Sequence, residues 1–324
     1  MIWYNILNLY LIISLIYIKQ DKASNYFHSS HVKLIHYLDD KNINNYKKGI
    51  IENDYEIYEI YKDVPEFLFL GRSNVGKSSL INSIFNRELT NPHKTPGKTQ
   101  KIEFYVIGTP KKRGSRGTIY PKYLKLDQKN IARNMNAKGI FLDAPGFGYV
   151  SGPVELRRKF KYLIYTYLNY AVRLKQIIYL INGEYGMTEI DKEELEFLNK
   201  FNKEIQLVFT KVDKKNKNNL IQFVSQASHF SRHLKNVRNE ILLTSTRTKY
   251  GIHNLRTHLY LDLLEINGES NPIYKEKQDI EMDTYKNGES EEILENITEE
   301  IENPEVLDNK DDNPVDNLEE KQKI

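Results

Sequence analysis

Cysteine is absent from the 324 residues, which excludes disulfides, zinc–thiolate sites and cysteine nucleophiles. Tryptophan occurs once, at Trp3. The eight histidines are scattered without metal-ligand spacing, and nothing local suggests a Ser-His-Asp order. His28, His31 and His36 fall in a polar stretch and read as solvated. Arginine is missing before Arg72, which argues against a mitochondrial presequence. Side-chain charge is missing from residues 1–18. No internal repeat is present.

The stretch "FLFLGRSNVGKSSLINSIF", Phe67 to Phe85, sets an apolar run against GxxxxGKS before apolar spacing resumes at helical intervals. A glycine-rich turn between a strand and a helix lets backbone N–H groups close on phosphates, and the helix N-terminus adds positive potential. Lys77 is placed to reach β- and γ-phosphate oxygens, and the Ser78 hydroxyl to ligate Mg²⁺. The phosphate cradle therefore reads as Gly71, Arg72, Ser73, Asn74, Val75, Gly76, Lys77, Ser78 and Ser79.

A P-loop does not name a base. "LVFTKVD", Leu207 to Asp213, is an apolar strand ending in TKxD. A carboxylate at Asp213 can accept from both the N1–H and the exocyclic amine of guanine, a pair that adenine cannot offer. Thr210 and Lys211 precede it. In "ILLTSTRTKYG" a further strand is followed by Thr244, and Ser245 and Thr246 can turn backbone N–H groups toward the guanine O6.

Between these motifs lies "GIFLDAPGFGYV". Asp143 ends an apolar strand, where it can hold Mg²⁺ through water, and Gly146, after Ala144 and Pro145, can sense the γ-phosphate. Thr99, in "NPHKTPGKTQKIEFYVIG", is the candidate second hydroxyl ligand of Mg²⁺, with Thr95 as its rival. Gly97, Lys98 and Gln100 flank it.

GRSNVGKSS, TPGKTQ, DAPGFGYV, TKVD and the TST before a helix resemble the EngB (YihA/YsxC) branch of the TrmE-Era-EngA-YfiA-Septin-like GTPases, over roughly residues 64–265. The resemblance implies a GTPase that helps to assemble the large ribosomal subunit in bacteria or in organelles of bacterial descent. Its ligands would be GTP or GDP with Mg²⁺, and its partners the large subunit and its rRNA. A monomer is expected. Phe147 stands where Ras-like proteins carry the glutamine that orients the attacking water; a phenyl ring cannot hydrogen-bond that water, so intrinsic hydrolysis should be slow or depend on another group. Related GTPases with an asparagine in the P-loop use K⁺ near the phosphates, and Asn74 occupies that place. A turn-stabilising side chain accounts for Asn74 equally well. The catalytic candidates are thus Lys77, Thr99 and Asn74.

Apolar strands at 67–70, 102–107, 139–142, 176–181, 205–209 and 241–243 alternate with amphipathic helices. The pattern predicts an α/β fold, the G domain of a P-loop NTPase: a doubly wound, mostly parallel six-stranded sheet with helices on both faces. Leu156, Phe160, Leu163, Ile164, Tyr167 and Leu168 fall at helical spacing and read as core.

Four segments complete the organisation. Residues 1–18 are long enough to cross a bilayer, but Asn5, Asn8 and Ser14 make a poor permanent anchor; a secretory signal core fits, without its basic start. With the Lys- and Asn-rich stretch 19–63, this resembles the two-part leader of proteins sent to the apicoplast, and removal of the leader would leave no stable membrane association. The other reading is a retained anchor on a GTP-dependent protein-interaction switch with vestigial hydrolysis. Residues 109–138 carry nine basic residues and one acidic. The segment is an insertion relative to the family pattern, a low-complexity loop or an RNA grip with Tyr120 and Tyr123 able to stack on bases. Residues 266–324 hold 19 acidic and six basic residues, a net of −13 against +3 for the whole chain, so the body carries +16. The tail is too polar to repay ordering entropy and is expected to be disordered. The basic body favours a polyanionic partner.

Overall fold

A computed structural model describes residues 20–39, 43, 61, 63–90, 101–110, 135–146 and 154–266. The first described element is a helix, α1, over 20–29. The strands are β1 (His31–Leu38), β2 (Glu66–Gly71), β3 (Ile102–Pro110), β4 (Met135–Asp143), β5 (Leu174–Asn182), β6 (Glu204–Thr210) and β7 (Val237–Leu243). The helices that follow α1 are α2 (Lys77–Phe85), α3 (Val154–Tyr170), α4 (Glu189–Leu198), α5 (Lys217–Ser231) and α6 (Ile252–Ile266).

The strands form one sheet in the order β1-β3-β4-β2-β5-β6-β7. β2 pairs in parallel with β4 and β5, β5 with β6, and β6 with β7, whereas β3 runs antiparallel to both β4 and β1. The expected doubly wound sheet is present, with seven strands among the described residues rather than six. β1 comes from the stretch read as a polar leader. Its alternation is broken by a register shift between Leu34 and His36, so Val32 and Leu38 are buried on opposite faces while Leu34 and Tyr37 are exposed.

β2 is buried along its whole length, as a central parallel strand with both faces covered must be. Its period of two divides the core. Phe67 and Phe69 pack with Ile81, Ile84 and Phe85 of α2, Leu255 and Leu259 of α6, and Phe27 of α1. Leu68 and Leu70 face the other way, into the cluster holding Leu163, Ile164, Tyr167 and Leu168 of α3 and Leu195 and Leu198 of α4. Phe27 is fully buried, its ring 5.5 Å from that of Phe85. Arg87 donates to the carbonyls of Ser30, at 2.9 Å, and of His28, and Arg256 donates to Ser24 Oγ at 3.3 Å. The folded unit therefore begins well before residue 64, and residues 20–38 are part of it.

The expected basic insertion has its ends in regular structure, because β3 and β4 continue as a ladder to the pair Pro110 and Met135. Residues 111–134, the leader 1–18 and the acidic tail from 267 lie outside the described residues, as do Tyr120 and Tyr123. Among the described residues no helix is long and apolar enough to cross a membrane.

Candidate functional site

The parallel strands deliver their motifs to one edge of the sheet, the carboxyl ends, where β4 and β5 flank β2 and the winding reverses. β2 ends at Gly71, at φ 134°, where a Cβ would lie 2.5 Å from the Leu180 carbonyl oxygen. Two more left-handed residues, Asn74 at φ 61° and Gly76 at φ 113°, curl the loop into α2. Such a loop feeding a helix N-terminus is a concavity of backbone N–H groups. Gly76 caps α2 without a side-chain hydrogen bond, so no side chain of the cap competes for those groups.

Lys77 folds back over the loop, its Nζ donating to the carbonyls of Gly71 at 2.8 Å and Arg72 at 3.0 Å. An ammonium has three donors, so one remains to point into the concavity. Burial pulls the Lys77 amine down to about 8, against the opposing pull of Asp143. The Ser78 hydroxyl donates to Asp143 Oδ2 at 2.6 Å. Burial pushes the Asp143 carboxyl up to about 6, resisted by that hydrogen bond and by Lys77. Asp143 Oδ1 is buried with no hydrogen-bond partner. A buried carboxylate oxygen without a donor is costly unless something positive meets it. A hydroxyl beside a carboxylate offers the hard oxygen atoms that Mg²⁺ takes, so these residues fit the ion.

Gly146 lies against the loop: a Cβ there would come within 2.6 Å of the Ser73 backbone nitrogen and Cα. From the other side β6 is tied in. The Thr210 hydroxyl donates to the Val75 carbonyl at 2.6 Å, and Lys211, at φ 54°, donates through Nζ to the Asn74 carbonyl at 2.5 Å. Asp213 follows in a single turn of 3-10 helix. Its Oδ1 accepts from the Ser245 hydroxyl at 2.5 Å and its Oδ2 from Arg247 Nε at 2.7 Å, which hold the carboxyl below its ordinary range. The Thr244 N–H bonds the Phe209 carbonyl at 2.7 Å, setting the β7 loop beside the β6 loop. Gly71 to Ser79, Asp143 to Gly146, Thr210, Lys211, Asp213 and Thr244 to Thr246 thus share this edge. Gly97, Lys98, Thr99, Gln100, Thr95 and Phe147 lie outside the described residues.

A family model described as "50S ribosome-binding GTPase" matches residues 66–211. The Probable GTP-binding protein EngB of Mycoplasmopsis synoviae (strain 53) is 32% identical over 210 residues, which is 64% of this chain and 94% of that protein. The chain belongs to the EngB family. It is a GTP-binding protein and a GTPase. The EngB of Rickettsia felis is 32% identical over 201 residues, 60% of this chain and 78% of that one. Among solved structures, an Era variant of Aquifex aeolicus bound to GDP.AlF4- is similar with a TM-score of 0.43 at 20% identity, over 62% of this chain and 56% of that chain.

Several residues of this EngB-family site escaped sequence reasoning. Asn82 accepts the N–H groups of Leu89 and Thr90 at 2.9 Å each, and the Thr90 hydroxyl donates to the Ser78 carbonyl at 2.9 Å. The segment that holds Thr99 therefore leaves from a point clamped to α2. Behind the loop, Arg72 Nη1 donates to Thr188 Oγ1 at 3.3 Å, and Thr188 caps α4 in a reciprocal box with Asp191. The Tyr179 hydroxyl is 3.1 Å from Asp191 Oδ1 and 2.8 Å from Glu194 Oε2. A phenol has one hydrogen for two carboxyl groups. Asp191 is also served by the Thr188 N–H at 2.8 Å, and burial pushes the Glu194 carboxyl up to about 8 against the hydrogen bond from Tyr179. The threonine followed three residues later by aspartate was the one legible signal of this group.

Proposed function

We propose that this chain is an organellar GTPase that serves assembly of the large ribosomal subunit, with the bound nucleotide deciding whether it is docked or released. The observation that carries the reading is the convergence of Lys77, Ser78, Asp143 and Asp213 on one edge of the sheet in a chain of the EngB family. In this reading Lys77 holds the terminal phosphates through its remaining N–H. Ser78 and Asp143 hold Mg²⁺, with Thr99 as a further ligand. Bound there, Mg²⁺ would neutralise charge between the β- and γ-phosphates. Asp213 accepts from the guanine edge, and the backbone of Ser245 and Thr246 faces O6. Gly146 couples the phosphates to the segment that follows it, since its packing on Ser73 leaves no space for a side chain.

No protein general base is assigned, because Phe147 cannot orient a water, and turnover without a partner is slow. Asn74 is assigned to K⁺ on the family resemblance. Its left-handed backbone, at φ 61°, explains an asparagine there without any cation. Residues 1–18 are read as a cleaved leader and the destination as an organelle of bacterial descent, the apicoplast.

Sedimentation tests the reading. Full-length protein with a non-hydrolysable GTP analogue should co-sediment with large ribosomal subunits, and release with GDP or with raised salt. Recovery in the membrane pellet irrespective of nucleotide would instead support a retained anchor on an interaction switch. Sequencing the N-terminus of the native protein tests the leader.

A further inference from the structure

Arg247 stands on the carboxylate that a guanine base has to use. Its Nε–H donates to Asp213 Oδ2 at 2.7 Å while the Ser245 hydroxyl holds Oδ1 at 2.5 Å. A guanidinium presents N–H donors on a planar sp² framework, as the Watson–Crick edge of guanine does. Both therefore offer a carboxylate the same kind of partner.

The loop keeps Arg247 within reach. The Thr248 N–H bonds Ser245 Oγ at 3.1 Å and the Ser245 N–H bonds the Tyr250 carbonyl at 2.9 Å. Gly251 closes the turn at φ 67°, where a Cβ would lie 1.7 Å from the Leu243 carbonyl oxygen. A donor tethered on so short a loop has a high effective concentration at Asp213. Its hold is still weak, since the Arg247 side chain is 76% exposed and Asp213 only 10%. Exposed ion pairs of this kind change an equilibrium by at most about fivefold.

We propose that Arg247 is an internal competitor for the guanine base: its exposed guanidinium contests Asp213 Oδ2 with a purine edge that engages both carboxylate oxygens, and so it lowers guanine-nucleotide affinity and narrows the choice between bases. The inference rests on Asp213 as the base-reading group. A base that needs both oxygens meets the full competition. Hypoxanthine, with N1–H but no exocyclic amine, needs one and can bind with Arg247 still in place.

Calorimetry on the full chain with Mg²⁺ and either GDP or IDP tests this. Arg247→Met keeps an apolar stem and removes charge and donors. It should tighten GDP by roughly two- to fivefold at low salt, tighten IDP less, and so widen the GDP-over-IDP preference. Arg247→Lys, which keeps the charge without the planar fork, should fall between. The gap between wild type and Arg247→Met should shrink at high salt, where an exposed pair is screened. Unchanged or weaker GDP binding by a variant that melts like wild type, or equal tightening of both nucleotides, overturns the proposal. Absence of GDP binding by the wild type would overturn the reading of Asp213 itself, a separate failure.

Discussion

The Ser78 hydroxyl and the Asp143 carboxylate, 65 positions apart in the chain, meet at 2.6 Å, and the second Asp143 oxygen is buried with no donor against it. β2 and β4 make this contact by running in parallel side by side, with Phe69 paired to Asp143. The site proposed for Mg²⁺ therefore depends on the register that sets Asp143 at the end of β4 beside the loop from β2 into α2.

Mg²⁺ and a proton should compete for Asp143. Burial raises this carboxyl to about 6, so it is ionised at pH 7.5 and mostly protonated at pH 5. The Mg²⁺-dependent part of GDP affinity should fall up to about tenfold per pH unit below that value, and Asp143→Asn should abolish the dependence. Calorimetry with and without Mg²⁺ at the two pH values checks it.

Glu194 should make the fold less stable as pH rises. Its folded-state carboxyl is raised to about 8 by burial and by Asp191, against the Tyr179 hydrogen bond, Lys77 and Arg72. Its favourable contribution is complete below the unfolded value near 4.5 and is lost as pH climbs toward 8. Glu194→Gln, neutral throughout, should flatten the melting temperature between pH 5 and pH 8. A slope identical to that of wild type would reject a raised Glu194 carboxyl.

Asp213→Asn should move base preference from guanine toward xanthine, because an amide can donate to the oxygen that xanthine presents at its 2-position. Competition binding with GDP and XDP measures the shift, and retained guanine preference removes Asp213 from its role.

Potassium provides a separate test of Asn74. Turnover in KCl should exceed that in NaCl, and Asn74→Gly, which tolerates the left-handed backbone, should erase the difference while leaving the fold intact. Equal rates in both salts would leave Asn74 as a turn residue alone.

Removing residues 1–18 should leave the melting temperature close to that of the full chain, whereas removing residues 1–63 strips β1 from β3 and Phe27 from the core. Phe27→Ala alone should cost about 3–5 kcal/mol, because the ring is fully buried against Phe85 and Phe141. Thermal melting of the three variants checks this.

The parallel core was legible because β2, β5 and β6 are covered on both faces, and such strands appear as unbroken apolar runs. The P-loop and TKVD were legible because phosphate and guanine recognition tie residue type to spacing. β1 was not, since its register shifts between Leu34 and His36, so that Val32 and Leu38 bury on opposite faces of the sheet, and histidines fall in its run, which then resembles a polar linker. Arg247, Glu194 and the contact of Thr188 with Arg72 were also illegible, although the capping spacing of Thr188 and Asp191 was not. Each acts through a partner distant in sequence: Arg247 on Asp213, Thr188 under Arg72, and Glu194 on Tyr179. No local pattern announces such a partner.

The β3–β4 ladder hands the chain out at Pro110 and takes it back at the facing Met135. Exit and re-entry that sit opposite each other ask almost nothing of what is spliced between them, since the entropic cost of closing a longer excursion grows only logarithmically. The hairpin tip is thus a natural graft point, where a reporter domain could be exchanged for the native stretch and the guanine nucleotide would still find its edge of the sheet assembled.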